Sequence, residues 1–101
     1  MTQYAIADIG SNTIVLLVYE MVNHYPTPIL HISTPTHLID YVDGDRIMSK
    51  EGILKATEVL QSYADKLDEM HVQYRFADIT EPCRIQNKEE LVASLQTTGW
   101  D

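Results

Sequence analysis

The residue types that could do chemistry gather near the amino terminus. Asp8, Gly10, Ser11, Asn12 and Thr13 fall within the run Ala5-Ile6-Ala7-Asp8-Ile9-Gly10-Ser11-Asn12-Thr13-Ile14-Val15-Leu16-Leu17-Val18-Tyr19-Glu20. An apolar run closing on Asp, then Gly, hydroxyl and amide residues, then a second β-rich run, reads as two strands joined at a sharp hairpin bend. Backbone N–H groups converge at such a bend, glycine lets the main chain approach a phosphate closely, and Ser11 and Thr13 add hydroxyl donors. Asp8 can coordinate Mg²⁺ directly or through water, because this hard cation takes oxygen ligands. The residues therefore suit a grip that holds a phosphate group and a metal together. The plainer reading is a hairpin whose polar loop only turns the chain.

Two strands must hold that loop. The first covers residues 4–8 and the second residues 13–21, with Ile14, Leu16 and Val18 alternating with Val15, Leu17 and Tyr19. Being apolar on both faces, the second strand reads as central and covered on both sides. Pro26 and Pro28 bar regular pairing, so residues 23–28 read as a turn and 29–34 as a third strand that completes a meander. Asp43-Gly44-Asp45 reads as a reverse turn with Gly44 able to take φ > 0.

A helix is predicted from Lys50 to Met70. Ser49 is placed to cap it, Glu51 sits in its first turn, Gly52 weakens that turn, and Ile53, Ala56, Leu60, Ala64 and Leu67 recur at three and four. Residues 72–79 alternate as a fourth strand, and the intervening helix is a crossover of the right length for parallel pairing. After a loop at residues 80–86, Asn87 can cap a second helix, Glu90 can reach back, Leu91 and Leu95 form its inward stripe and Gly99 stops it. The fold class is α/β, a mixed sheet in the order strand-strand-strand-helix-strand-helix.

Composition limits the partners. The chain has 101 residues, 45% of them hydrophobic, enough for one modest core and too apolar for disorder. Fifteen acids oppose seven bases, giving a net charge of −8, and the bases form no run. Nucleic-acid binding needs clustered positive charge, so that partner is not expected. No apolar run approaches the length of a membrane span and no leader pattern opens the chain, so a cytoplasmic location is expected. Cys83 is the single cysteine and excludes an internal disulfide. His24, His31, His37 and His71 lack metal-ligand spacing, and the aromatic residues fall where core packing uses them.

The string Asp8-Ile9-Gly10-Ser11-Asn12-Thr13 after a first strand, with a long apolar strand behind it, resembles the opening of the exopolyphosphatase and guanosine pentaphosphate phosphohydrolase (Ppx/GppA) family. That family belongs to the actin-like superfamily, whose sugar kinases and Hsp70 chaperones carry Gly-Thr-Thr or similar where this chain has Gly10-Ser11-Asn12-Thr13. The resemblance implies a ribonuclease H-like (actin-like ATPase) half-domain. On that footing residues 1–101 are a single partial domain, lacking the fifth strand and further helix that complete the family's sheet. It also implies Mg²⁺-dependent release of terminal phosphate from polyphosphate or guanosine pentaphosphate. Asp8 would then serve the metal, Gly10, Ser11, Asn12 and Thr13 would hold phosphate, and Thr80 and Asn87 would shape the opposite wall.

The second family motif, Ala-Thr-Ser-Ala-Leu-Arg-Glu-Ala-x-Asn, aligns through Asn87 and places Thr80 on the family Ser and Cys83 on its Arg. Arg84 is displaced by one, and Val15 stands where the family often has Arg. The segment Ser-Gly-x-Glu-Glu-Ala, which carries the family's catalytic glutamate, does not occur in this sequence. Glu81 is the one carboxylate on the second loop that could substitute, although a Glu before a Pro is ordinarily a turn residue facing water. The expectation is a phosphate-binding, catalytically incomplete chain. The alternative is a non-catalytic assembly module that self-associates through an open sheet edge.

Overall fold

The computed structural model describes residues 2–79 and 85–100. Four strands, β1 (Gln3–Ile9), β2 (Thr13–Val22), β3 (Tyr25–Pro35) and β4 (Tyr74–Ile79), form one sheet in the order β3-β2-β1-β4. A short 3₁₀ turn (Leu38–Tyr41) and helix α1 (Lys50–Met70) lie between β3 and β4, and helix α2 (Lys88–Gln96) follows β4. β1 pairs antiparallel with β2 and parallel with β4, and β2 pairs antiparallel with β3. The predicted α/β class, element order and parallel crossover are those observed.

The core lies between one face of the sheet and the helices. Ala5, Ala7 and Ile9 of β1 and Ile14, Leu16 and Val18 of β2 are fully buried there, against Ala56, Leu60 and Leu67 of α1 and Leu91 of α2. Alanines on the central strand let α1 approach closely, and the bulk is supplied by leucines from above. Ser49 caps α1 as expected, its hydroxyl accepting from the Gly52 N–H at 3.2 Å. Gly52 has a packing reason beyond the fraying expected of it. A Cβ there would stand 2.5 Å from the Tyr41 Cβ and 2.9 Å from the Met48 Cγ. Trp100 closes the far end of the core, donating its indole N–H to the Leu60 carbonyl at 3.3 Å.

Four expectations are corrected. β3 starts at Tyr25, not Ile29, because the turn is only Asn23-His24, both at positive φ, and Pro26 and Pro28 pair with Met21 and Tyr19. With Val22 and Tyr25 closing the hairpin, Pro26 and Pro28 fall on the side facing the open edge, where a missing N–H loses no ladder bond. In the loop around Asp43, the left-handed residue is Arg46 and not Gly44; the Asp43 carboxylate holds the turn by accepting from the N–H groups of Asp45 and Ile47. Asn87 precedes α2 but makes no side-chain cap. Finally, among the described residues β2 is covered by helices on one face only, for α1 and α2 pack on the same side.

The opposite face is read from the strand register. One row runs Tyr74, Tyr4, Tyr19 and Pro28, the next Phe76, Ile6, Leu17 and His31, and the third Asp78, Asp8, Val15 and Ser33. Ile6, Tyr74 and Phe76 are exposed. This face is aromatic and aliphatic at one end and becomes acidic at the end that carries the Asp8–Thr13 loop.

Candidate functional site

The sharp bend predicted after β1 is present. Ile9 pairs with Ile14, and the Gly10 N–H donates to the Thr13 carbonyl at 3.1 Å, leaving Ser11 and Asn12 at the tip. A Cβ on Gly10 would sit 3.0 Å from the Thr13 carbonyl oxygen, so the closure favours glycine for close approach. The tip is then fastened from behind. The Asn12 carbonyl accepts from the N–H groups of Thr36 and His37 at 2.8 and 2.9 Å, and the Ser11 carbonyl accepts from that of Ile39 at 2.9 Å.

With the carbonyls of the tip turned inward to these donors, the polar side chains remain for other work. Among the described residues no hydrogen bond engages the Ser11 hydroxyl, the Asn12 amide or the Thr13 hydroxyl; Asn12 is exposed and the other two are half-buried. Hydroxyls, an amide and a glycine bend at one end of a sheet suit an anion.

Asp8 is half-buried one residue before the bend's closing pair. The register sets Asp78 beside it on the adjacent parallel strand, on the same face. Neighbouring strands lie about 4.8 Å apart, so two carboxylates share the acidic end of the open face. No local pattern marks Asp78 as a site residue, yet the sequence carries a signal: Ala7-Asp8-Ile9 and Ala77-Asp78-Ile79 are the same tripeptide, and the strands align them residue for residue. Among the described residues there is no cluster of three or more His, Cys, Asp or Glu side chains able to cage a metal. The donors present are one or two carboxylates with nearby hydroxyls. That set fits Mg²⁺, which keeps several waters and is held through one or two carboxylates plus substrate phosphates.

The second wall is only partly in view. Thr80, Glu81, Cys83 and Arg84 lie outside the described residues. Asn87 is described, and its side chain is already committed: the carbonyl oxygen accepts from the Met48 N–H and the amide nitrogen donates to the Met48 carbonyl, both at 2.9 Å. The Gln86 N–H also donates to the Arg46 carbonyl at 2.7 Å. Asn87 thus mimics a strand partner for buried Met48 and ties the start of α2 to the segment before α1.

One further residue belongs to the loop's surroundings and was not legible in the sequence. Thr36, whose N–H holds the Asn12 carbonyl, is fully buried, and its hydroxyl has no hydrogen-bond partner among the described residues. A buried hydroxyl left unpaired costs about 1–3 kcal/mol, and such groups in native folds call for an explanation.

The class defined so far is an α/β chain with a mixed four-stranded sheet, a polar hairpin bend at one end of it and two aspartates on adjacent strands beside that bend. Solved structures share this fold. A Ppx/GppA phosphatase of Aquifex aeolicus superposes with a TM-score of 0.87 at 25% identity, over 97% of this chain and 33% of that one. A second structure of the Aquifex aeolicus family member gives 0.85 at 26% identity, over 95% and 32%. An exopolyphosphatase from Cytophaga hutchinsonii shares the fold, at 0.87 with 23% identity over 96% and 31%. In structure the chain is similar to Ppx/GppA phosphatases, the family that the Asp8–Thr13 run resembles, and spans about a third of the length of these solved structures. No family model and no curated protein sequence matches it. No helix among the described residues is long and apolar enough to cross a membrane.

Proposed function

We propose that this chain is the phosphate-gripping part of a Ppx/GppA-type phosphohydrolase. In this reading residues 1–101 form a partial ribonuclease H-like, actin-like domain. The complete protein removes terminal phosphate from polyphosphate or guanosine pentaphosphate, and the 101-residue chain binds phosphate weakly and turns over nothing. The observation that carries the reading is the bend at Gly10, which directs the carbonyls of Ser11 and Asn12 into the fold and leaves the polar side chains of Ser11, Asn12 and Thr13 unengaged. Asp8, with Asp78 beside it, would hold Mg²⁺, which when bound offsets negative charge on phosphate oxygens. Ser11, Asn12 and Thr13 would orient the phosphate.

Incubation of the purified chain with Mg²⁺ and polyphosphate is expected to yield no free phosphate. Tripolyphosphate is expected to perturb the amides of residues 10–13 in a titration followed by NMR, and Asp8→Ala to weaken that binding at least tenfold. Phosphate release that Asp8→Ala abolishes would overturn the non-catalytic part of the reading; unmoved loop amides would overturn the grip itself.

A second reading has one observation in its favour. The β3 edge carries Pro26 and Pro28, which discourage strand addition, whereas no proline interrupts β4 at the other edge. An assembly module pairing through β4 would form dimers or larger species, and light scattering after gel filtration distinguishes them from a monomer.

A further inference from the structure

We propose that Thr36 is a positioning residue of the grip: its buried hydroxyl pairs with a polar group of the Ser11–Asn12–Thr13 loop when that loop is drawn around an anion. The inference rests on the phosphate-binding reading above.

Three observations converge on it. The loop hangs from the segment after β3 by backbone bonds, with the N–H groups of Thr36 and His37 donating to the Asn12 carbonyl and that of Ile39 to the Ser11 carbonyl. Thr36 is the residue of that segment nearest β3, and Thr13 pairs with its neighbour Pro35. The hydroxyl of Thr36 is the buried side-chain polar atom left without a partner among the described residues. A valine there would have nearly the same shape and would remove the unpaired group.

The thermodynamic consequence follows from the asymmetry between the two states. In the free loop the hydroxyl is desolvated and unpaired, which raises the free state. Once it pairs, both the desolvation cost and the missing bond are recovered, and a ligand that favours the paired arrangement gains that difference as affinity. Groups able to receive it are present, since the Asn12 amide and the Ser11 and Thr13 hydroxyls are unengaged. Thr36 itself is fully buried and touches no ligand; it acts through the loop.

The test compares Thr36→Val and Thr36→Ser in the 101-residue chain. Melting temperature is measured without ligand, and affinity for tripolyphosphate with Mg²⁺ is measured by amide NMR. Thr36→Val is expected to raise the melting temperature by roughly 5 °C or more and to weaken tripolyphosphate binding about tenfold. Thr36→Ser, which keeps the hydroxyl, is expected to retain affinity within about twofold while melting somewhat lower for loss of a methyl group. A valine variant that melts higher with unchanged affinity would overturn the proposal, leaving the hydroxyl a plain cost. One that melts lower would overturn it too, because the hydroxyl would then be paired in the free chain. If the parent chain binds no tripolyphosphate, the phosphate-binding reading falls first, and the proposal with it; the sign of the melting shift still separates that failure from a hydroxyl that was paired all along.

Discussion

The two faces of the sheet are built by the same strands, with successive residues pointing to opposite sides. On the helical face, Ala5, Ala7, Ile9, Ile14, Leu16 and Val18 are wholly withdrawn from water. On the other, Ile6 is 37% exposed, Phe76 50% and Tyr74 56%, although these residues are as apolar as their neighbours. Composition does not separate the faces; what stacks on them does. The lesson is that an apolar residue contributes to this fold only through the helices that cover it. The open face is free to grade from aromatic at one end to the paired aspartates at the other.

The largest test of this contrast is between adjacent leucines of β2. Leu16→Ala, on the helical face, is expected to cost about 2–5 kcal/mol in a denaturant titration, and Leu17→Ala, on the open face, less than about 1 kcal/mol. Equal losses would break the distinction. Next comes Gly52→Ala. Helix propensity alone favours alanine by about 1 kcal/mol, but the added Cβ meets Tyr41 and Met48, and overpacking costs about 1–3 kcal/mol. The net expectation is a loss, read as a lower denaturant midpoint, and a gain would mean that the helical face is looser than its contacts imply.

The smallest expected effect concerns the tyrosine that reaches across the helical face. Tyr63 donates its hydroxyl to the Ile14 carbonyl and pairs with Thr34; burial raises its pKa above the ordinary 10.0, with the Thr34 bond opposing in part. The folded state therefore holds the phenolic proton more tightly than the unfolded one. The resulting stabilisation is complete below pH 10 and is lost as pH rises from there through the folded value. Melting temperatures above pH 10 should fall more steeply for the parent chain than for Tyr63→Phe, and identical slopes would remove Tyr63 from the account.

Much of this architecture was legible in the residues. The period of α1, its Ser49 cap, the alternation of β2 and the Gly10 bend all follow from local rules. What escaped them depended on neighbours. Pro26 and Pro28 read as breakers because sequence does not say which side of a strand faces an open edge. Asn87 read as a helix cap because its partner, Met48, lies 39 residues away. The residues of β2 by themselves imply double coverage, whereas coverage is a property of the helices. At the site, the turn chemistry of residues 8–13 was plain, but Asp78 needed the β1–β4 register and Thr36 needed knowledge of burial.

The β2–β3 ribbon has a practical consequence. Its tip at Asn23-His24 lies at the opposite end of β2 from Thr13, ten residues that at about 3.3 Å each put some 30 Å between tip and grip. The chain measures 48 by 21 by 19 Å, and the tip residues are exposed. A dye, a biotin or a tether to a solid support attached at His24 would leave the Asp8–Thr13 end facing open solution, so the proposed binding could be tested on an immobilised chain without crowding those residues.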